Sequence, residues 1–174
     1  MLTPLQMHAS FFDRDKNGLV YLKETYEGLR AIGLGVVRAT SLALVINGGL
    51  SPSTSPNKIP SPLLPIYVEN ISRGKHGSDS GAYDSEGRFV PEKFEEIFKK
   101  YAKVNPNALT SEEVDEMLKG NEQPNDPIGH SGSMLEWRLL YDLAKDKYGF
   151  LHNDTARSVF DGSLFYRLER ERAS

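Results

Sequence analysis

A mainly α-helical domain is what this chain of 174 residues predicts, on three observations. Apolar side chains recur at helical spacing between proline, glycine and Ser/Thr punctuation, and capping signals open several of those stretches. Between the first two of them, residues 13–24 read D-R-D-K-N-G-L-V-Y-L-K-E. The length is enough to bury a real core. We read residues 1–174 as a single domain, with a helix–loop–helix over 1–32, an apolar segment over 33–50, a proline-rich stretch over 51–66 and a mainly helical remainder over 67–174.

The first element is expected over residues 4–12, where Thr3 and Gln6 form a capping box and Pro4 takes the first helical position. Leu5, His8, Phe11 and Phe12 share its apolar face. Residues 13–24 then match an EF-hand calcium loop, because the oxygens that a hard cation needs fall at the right places. Asp13, Asp15 and Asn17 stand at loop positions 1, 3 and 5, and Gly18 at position 6 permits the sharp turn. Leu19 at position 7 offers its backbone carbonyl, and Glu24 at position 12 can bind through both carboxylate oxygens. Val20 at position 8 is apolar, as a residue pairing with a neighbouring loop must be. The exiting helix, over 22–32, places Tyr26, Leu29 and Ile32 on one face before Gly33 and Gly35 interrupt it.

A lone loop of this kind leaves its β edge uncovered, so degenerate EF-like partner loops are expected. In residues 144–155, Asp146, Gly149 and Leu151 fall at positions 3, 6 and 8, but Ala144 and Thr155 take positions 1 and 12. In residues 82–93, Asp84, Glu86, Gly87 and Phe89 fall at positions 3, 5, 6 and 8, but Ala82 and Lys93 take positions 1 and 12. Neither should hold calcium tightly without the first ligand and the bidentate glutamate. The later loop, with helical patterns on both sides, is the expected partner of 13–24.

A formal charge of -3 gives no basic field for phosphate backbones, so no nucleic-acid partner is expected. The absence of cysteine excludes disulfides, thiolate metal sites and cysteine nucleophiles. The first residues lack a charged-then-apolar leader, which argues against a cleaved signal peptide.

Residues 31–50 are the most apolar run, about the 20 residues that a membrane span needs. Arg38 sits within it and Asn47 near its end, and a central arginine costs roughly 2.5 kcal/mol or more in hydrocarbon, so a span is not expected. Two readings remain: a buried core helix, or a helix at a lipid surface with Arg38 snorkelling while Val36, Val37, Leu42, Leu44, Val45 and Ile46 enter the acyl region. Pro52, Pro56, Pro60, Pro62 and Pro65 follow, interleaved with serines, and are expected to turn or extend the chain.

Further on, Phe94, Ile97, Phe98 and Tyr101 line a helix over 91–103. Thr110 with Glu113 caps a helix ended by Gly120, and Ser133 with Glu136 opens another that buries Leu135, Leu139, Leu140 and Leu143. Trp137 belongs to the core or to an interface. Asn153 caps a last helix running through Val159, Phe160, Leu164 and Leu168.

Taken in order, the calcium loop preceded by L-Q-M-H-A-S-F-F-D, the apolar segment, P-N-K-I-P-S-P-L-L-P-I-Y, K-H-G-S-D-S-G-A-Y-D-S-E-G-R-F and the terminal F-D-G-S-L-F resemble the caleosins, also called plant-type peroxygenases. The match covers nearly the whole chain. The resemblance implies a protein that binds calcium and haem b, sits at the surface of lipid droplets or on the cytosolic side of the endoplasmic reticulum membrane, and takes oxygen from a lipid hydroperoxide or hydrogen peroxide. It implies hydroxylation or epoxidation of unsaturated fatty acids and oxidation of sulfides. The family's two haem-associated histidines match His8 and His76. The others, His130 and His152, match no motif and read as surface residues.

From the residues alone, His8 is either a satisfied core histidine or a ligand on an apolar helix face, and His76 either an exposed loop histidine or a ligand oriented by Asp79 or a nearby carbonyl. Arg73 and Lys75 are candidates for neutralising haem propionates. An iron held permanently by two histidines has no position for a peroxide, so one of them stands back as an acid–base group or dissociates in turnover. Two other classes stay open beside the enzyme: a non-enzymatic, calcium-responsive lipid-droplet protein, and a soluble calcium sensor. Homo-oligomerisation is also open.

Overall fold

Thr3 starts the first helix, α1 (Pro4–Ser10), through the expected capping box: its Oγ1 accepts from the Gln6 N–H at 3.2 Å and the Gln6 Oε1 accepts from the Thr3 N–H at 2.9 Å. In this computed structural model the backbone of residues 1–57, 59, 61–74 and 80–174 is described, with the side chains of the same residues outside 127–132. α1 ends two residues earlier than expected, and the chain turns at Phe11, whose ring is 1% exposed. It forms two compact units, Met1–Lys75 with Ser85–Arg88 and Val159–Ser174, and His76–Asp84 with Phe89–Ser158.

In the first unit α1 leads through the loop to strand β1 (Leu19–Val20) and helix α2 (Leu22–Ala31). A second, similar excursion follows: helix α3 (Val36–Thr54), strand β2 (Ile66–Tyr67) and a 3-10 helix over Val68–Gly74. The two strands pair antiparallel, Leu19 opposite Tyr67 and Val20 opposite Ile66. This corrects the expectation that loop 144–155 would partner loop 13–24. The proline-rich stretch masked the true partner, since Ile66 directly follows Pro65, whose fixed φ suits extended chain. Ala9, Val20, Ile66, Val68 and Ile71 form a core cluster beneath the pair.

The apolar run becomes α3, and its inner face packs inside the protein: Ala39, Leu42 and Ala43 are buried. Asn47 is fully buried yet satisfied. It accepts from the Thr25 hydroxyl at 2.6 Å and donates to the carbonyls of Val20 at 3.0 Å and Leu64 at 2.8 Å, so it ties α2, β1 and the approach to β2 together. The outer face, with Val36, Val37, Leu44 and Val45, is exposed. Leu42 is therefore not on the outer face with them, and Ile46 is half-buried against the core. Among the described residues no helix is long and apolar enough to cross a membrane. Pro52 lies inside α3, against the expectation that it would end the helix. It falls in the last turn, where its missing N–H withdraws a bond only from the exposed Gly48.

The second unit repeats the plan. Helix α4 (Pro91–Tyr101), strand β3 (Ala108–Leu109) and helix α5 (Ser111–Gly120) form one excursion, and helix α6 (Pro127–Ala144), strand β4 (Leu151–His152) and helix α7 (Asn153–Arg157) the other. Ala108 lies opposite His152 and Leu109 opposite Leu151. Loop 144–155 thus does have a partner, but it is loop 102–113. Loop 82–93 instead closes on itself, Tyr83 bridging Phe89 across Gly87, which has φ +85. Phe94, Leu109, Val114, Met117 and Leu151 are fully buried, and Trp137 is in the core.

Two boundaries differ from expectation. α6 starts at Pro127, so Ser133 lies within it, and Leu135 is exposed. The expected last helix is two: α7 ends at Arg157, and helix α8 (Ser163–Ala173), part of the first unit, begins after Gly162, whose φ of +81 breaks the helical run.

Candidate functional site

The loop 13–24 brings three carboxylates together. One oxygen each of Asp13, Asp15 and Glu24 lie within 4.8 Å of one another, with Asp13 and Glu24 buried and Asp15 exposed. Local hydrogen bonds shape the ring: the Asp13 carboxylate accepts from the N–H of Asn17 at 3.1 Å and of Gly18 at 2.8 Å, and Gly18 adopts φ +87. Glu24 reaches back from the first turn of α2 to accept from Arg14, Asp15 and Tyr21 N–H groups. Leu19, whose carbonyl was the fourth expected donor type, is held in β1. Hard oxygens in this number and spacing suit a divalent cation such as calcium.

Loop 102–113 repeats the glutamate half of this arrangement without the other ligands. Glu113 accepts from the N–H groups of Lys103 at 2.7 Å, Val104 at 3.3 Å and Thr110 at 2.9 Å, the counterparts of the Arg14, Asp15 and Tyr21 bonds to Glu24. Burial raises the Glu113 pKa and the backbone N–H groups lower it more, leaving it below the ordinary carboxylate value. Ala102, Val104 and Pro106 stand where Asp13, Asp15 and Asn17 stand in the first loop, so no cation site forms. Loop 102–113 is hard to see in the sequence because the first three ligand positions carry no acidic side chain. The signal available was Leu109 followed four residues later by Glu113.

His8 sits on α1, five residues before Asp13. Its Nδ1 lies 2.7 Å from the Val159 carbonyl oxygen. A carbonyl can only accept, so Nδ1 bears the proton and the Nε2 lone pair is the ring's coordinating position. Burial holds the imidazole below its ordinary pKa, against the Val159 bond and the charge of Asp161, so the ring is neutral near pH 7. Phe165 stands edge-on to it with ring centroids 5.0 Å apart. Phe11, read on the same apolar face as His8, is committed to the core, against Phe12 at 4.9 Å and Tyr166 at 5.0 Å. Val159, Asp161 and Phe165 were not singled out as site residues from sequence; Val159 acts through a backbone carbonyl, which leaves no side-chain signature.

His76 lies outside the described residues, as do Lys75 and Asp79, and so does the side chain of His130. Arg73 is exposed at the end of the 3-10 helix. His152 precedes α7 and pairs with Asp146 at 2.7 Å, holding the Asp146 carboxyl below its usual range together with the Phe150 and Tyr148 N–H groups. That is a loop-stabilising contact on a partly exposed surface.

An open cleft of about 510 Å³ lies beside loop 13–24, lined by Met7, Asp13, Lys16, Val68, Asp161 and Tyr166 among others. The His8 ring is not part of its wall.

Residues 1–169 match the family model described as "Caleosin related protein". The chain is 53% identical over 173 residues to a protein of Lilium longiflorum named "Peroxygenase", covering 99% of this chain and 72% of that protein. It is 52% identical over 170 residues to "Probable peroxygenase 4" of Arabidopsis thaliana, covering 98% and 87%. A third relative, the Arabidopsis thaliana "Probable inactive peroxygenase-like protein", is 41% identical over 148 residues, covering 85% and 71%. No solved structure matches the chain. A family match over nearly every residue, with relatives above half identity across the same span, means that this chain belongs to the caleosin family.

Proposed function

We propose that this protein is a peroxygenase that binds one calcium ion and one haem b, moving an oxygen atom from a fatty-acid hydroperoxide or hydrogen peroxide to an unsaturated fatty acid or a sulfide. The observation that carries the reading is the fixed, neutral imidazole of His8, in a chain 53% identical to a protein named "Peroxygenase". A haem ligand needs an unprotonated nitrogen in a defined orientation, and the Val159 carbonyl supplies that tautomer at Nδ1. The apolar edge of Phe165 beside the ring suits a flat hydrophobic group. The residues present therefore suit an imidazole that would hold haem iron.

Haem, when bound, supplies the iron at which a peroxide O–O bond is cleaved. The chain's own part is to hold and orient. His8 would hold the iron through Nε2, and His76, by family match, would be the second histidine, either ligating or moving a proton at the peroxide oxygen.

Calcium would be held by Asp13, Asp15, Asn17, the Leu19 carbonyl and Glu24, in an EF-hand. Its role in this reading is structural. His8 lies one turn before Asp13, so ordering the loop fixes the end of α1. The surface where the protein works is proposed to be a lipid droplet or the cytosolic side of the endoplasmic reticulum membrane. The exposed outer face of α3, with Ile59 and Leu63 also exposed, supports that placement.

Supplying a hydroperoxide whose oxygens carry a heavy isotope, together with a sulfide, tests the reading. Label in the sulfoxide, lost in His8→Ala, is the expected result. A colourless protein that binds calcium and droplets but transfers no label would instead favour the non-enzymatic alternative.

A further inference from the structure

Gly162 makes an unusually close approach to the helix that holds His8. A Cβ placed on it would stand 2.9 Å from the Met7 carbonyl oxygen and 3.1 Å from the His8 Cα, and its φ of +81 disfavours any side chain. Three residues earlier in the chain the Val159 carbonyl accepts from Nδ1 of the same imidazole, and one residue earlier Asp161 places a charge that acts on the ring. Asp161 also accepts from the Ser163 N–H at 3.0 Å, which closes the turn on itself, and Phe165 in the first turn of α8 stands edge-on to the ring. Four independent features of one short segment, residues 159–165, thus converge on a single side chain.

We propose that the turn over residues 159–162 is the positioning element for His8: Val159 sets its tautomer, Gly162 allows α1 to approach closely enough for that bond, and Asp161 sets a negative charge near the ring from the same turn. They act through His8, and the proposal rests on the reading of His8 as a haem ligand only for its consequence on haem, not for its consequence on the ring.

The turn also reaches the calcium loop through α8. Arg14, at loop position 2, pairs with Glu169 at 2.6 Å, and Lys16, at position 4, lies over the Tyr166 ring. The segment that orients the imidazole is thereby held against the loop that binds the ion.

Gly162→Ala is the direct test, with Gly149→Ala as a control that imposes a left-handed alanine at φ +87 in the other unit. In the haem-free protein, long-range proton–nitrogen NMR should report His8 as the Nδ1-protonated tautomer in wild type and control, and as a mixture in Gly162→Ala. On haem titration the same variant should lose about 10-fold or more in affinity, the range seen when the hydrogen-bond partner of a ligating histidine is removed. Wild-type tautomer and affinity in Gly162→Ala would overturn the proposal. Should that variant fail to fold, Asp161→Asn decides, since Asn retains the bond to Ser163. The reduction potential of the bound haem should rise in Asp161→Asn, and an unchanged potential overturns the proposal. Unaltered haem affinity in His8→Ala would sink the haem reading while leaving the tautomer result to stand on its own.

Discussion

Asn47 and His8 are both polar residues set among apolar ones, and in each case a backbone carbonyl explains the placement. Asn47 uses its amide to satisfy Val20 and Leu64, so replacing it with leucine strands two buried carbonyls and the Thr25 hydroxyl. Asn47→Leu should cost about 2–4 kcal/mol of stability in denaturant unfolding, and a loss below about 0.5 kcal/mol would contradict the bonding described. From sequence Asn47 was legible only as an interruption in an apolar run, because its partners are main-chain atoms of distant segments. His8 was legible as a candidate, but its tautomer was not, for the same reason. The proposed calcium ligands were the opposite case: four of the five, Asp13, Asp15, Asn17 and Glu24, carry their chemistry in side-chain identity and spacing within twelve residues. Glu24→Gln should abolish tight calcium binding in calorimetry, since it removes one of the charged oxygens and weakens the bidentate contact.

The helices were read well where a capping box marks the start, as in α1 and α5, or where a first-turn proline precedes amphipathic spacing, as in α4, and less well where a break depends on one backbone angle. Gly162 divides the expected last helix, and no periodicity in the side chains announces it. Close helix packing was equally hidden. A Cβ on Gly28 of α2 would run into the Phe12 ring, with the Phe11 ring 3.4 Å away, so Gly28→Ala should destabilise by about 1–3 kcal/mol despite its better helix propensity. Glu113 presents a third case, a buried carboxylate whose three backbone N–H bonds hold its pKa low in the folded state. The unfolded chain therefore binds its proton first as pH falls. The stability it contributes is present above the ordinary glutamate pKa and is lost as pH drops through the lower folded value. Glu113→Gln should remove about 1–3 kcal/mol near neutral pH and flatten that acid dependence in thermal melts followed across the acidic range.

Each of the two units is a pair of helix–loop–strand–helix excursions joined by a two-residue antiparallel ladder. The internal resemblance between the pairs was only half legible, because residues 55–65 carry no carboxylate and loop 102–113 keeps only Glu113 of the side chains that define a calcium loop. Since the described residues hold one cluster of three carboxylates with ligand spacing, calorimetry should find one tight calcium ion per chain. Chelation should loosen haem, because α1 both leads into the loop and presents His8. What joins the account into a single function is the fixed imidazole, and absorption spectroscopy during haem titration tests it most directly. Wild-type protein should develop a sharp Soret band at one equivalent of haem, and His8→Ala should show a shifted, weakened band with at least about tenfold poorer affinity. The same band position and affinity in His8→Ala as in wild type would contradict it.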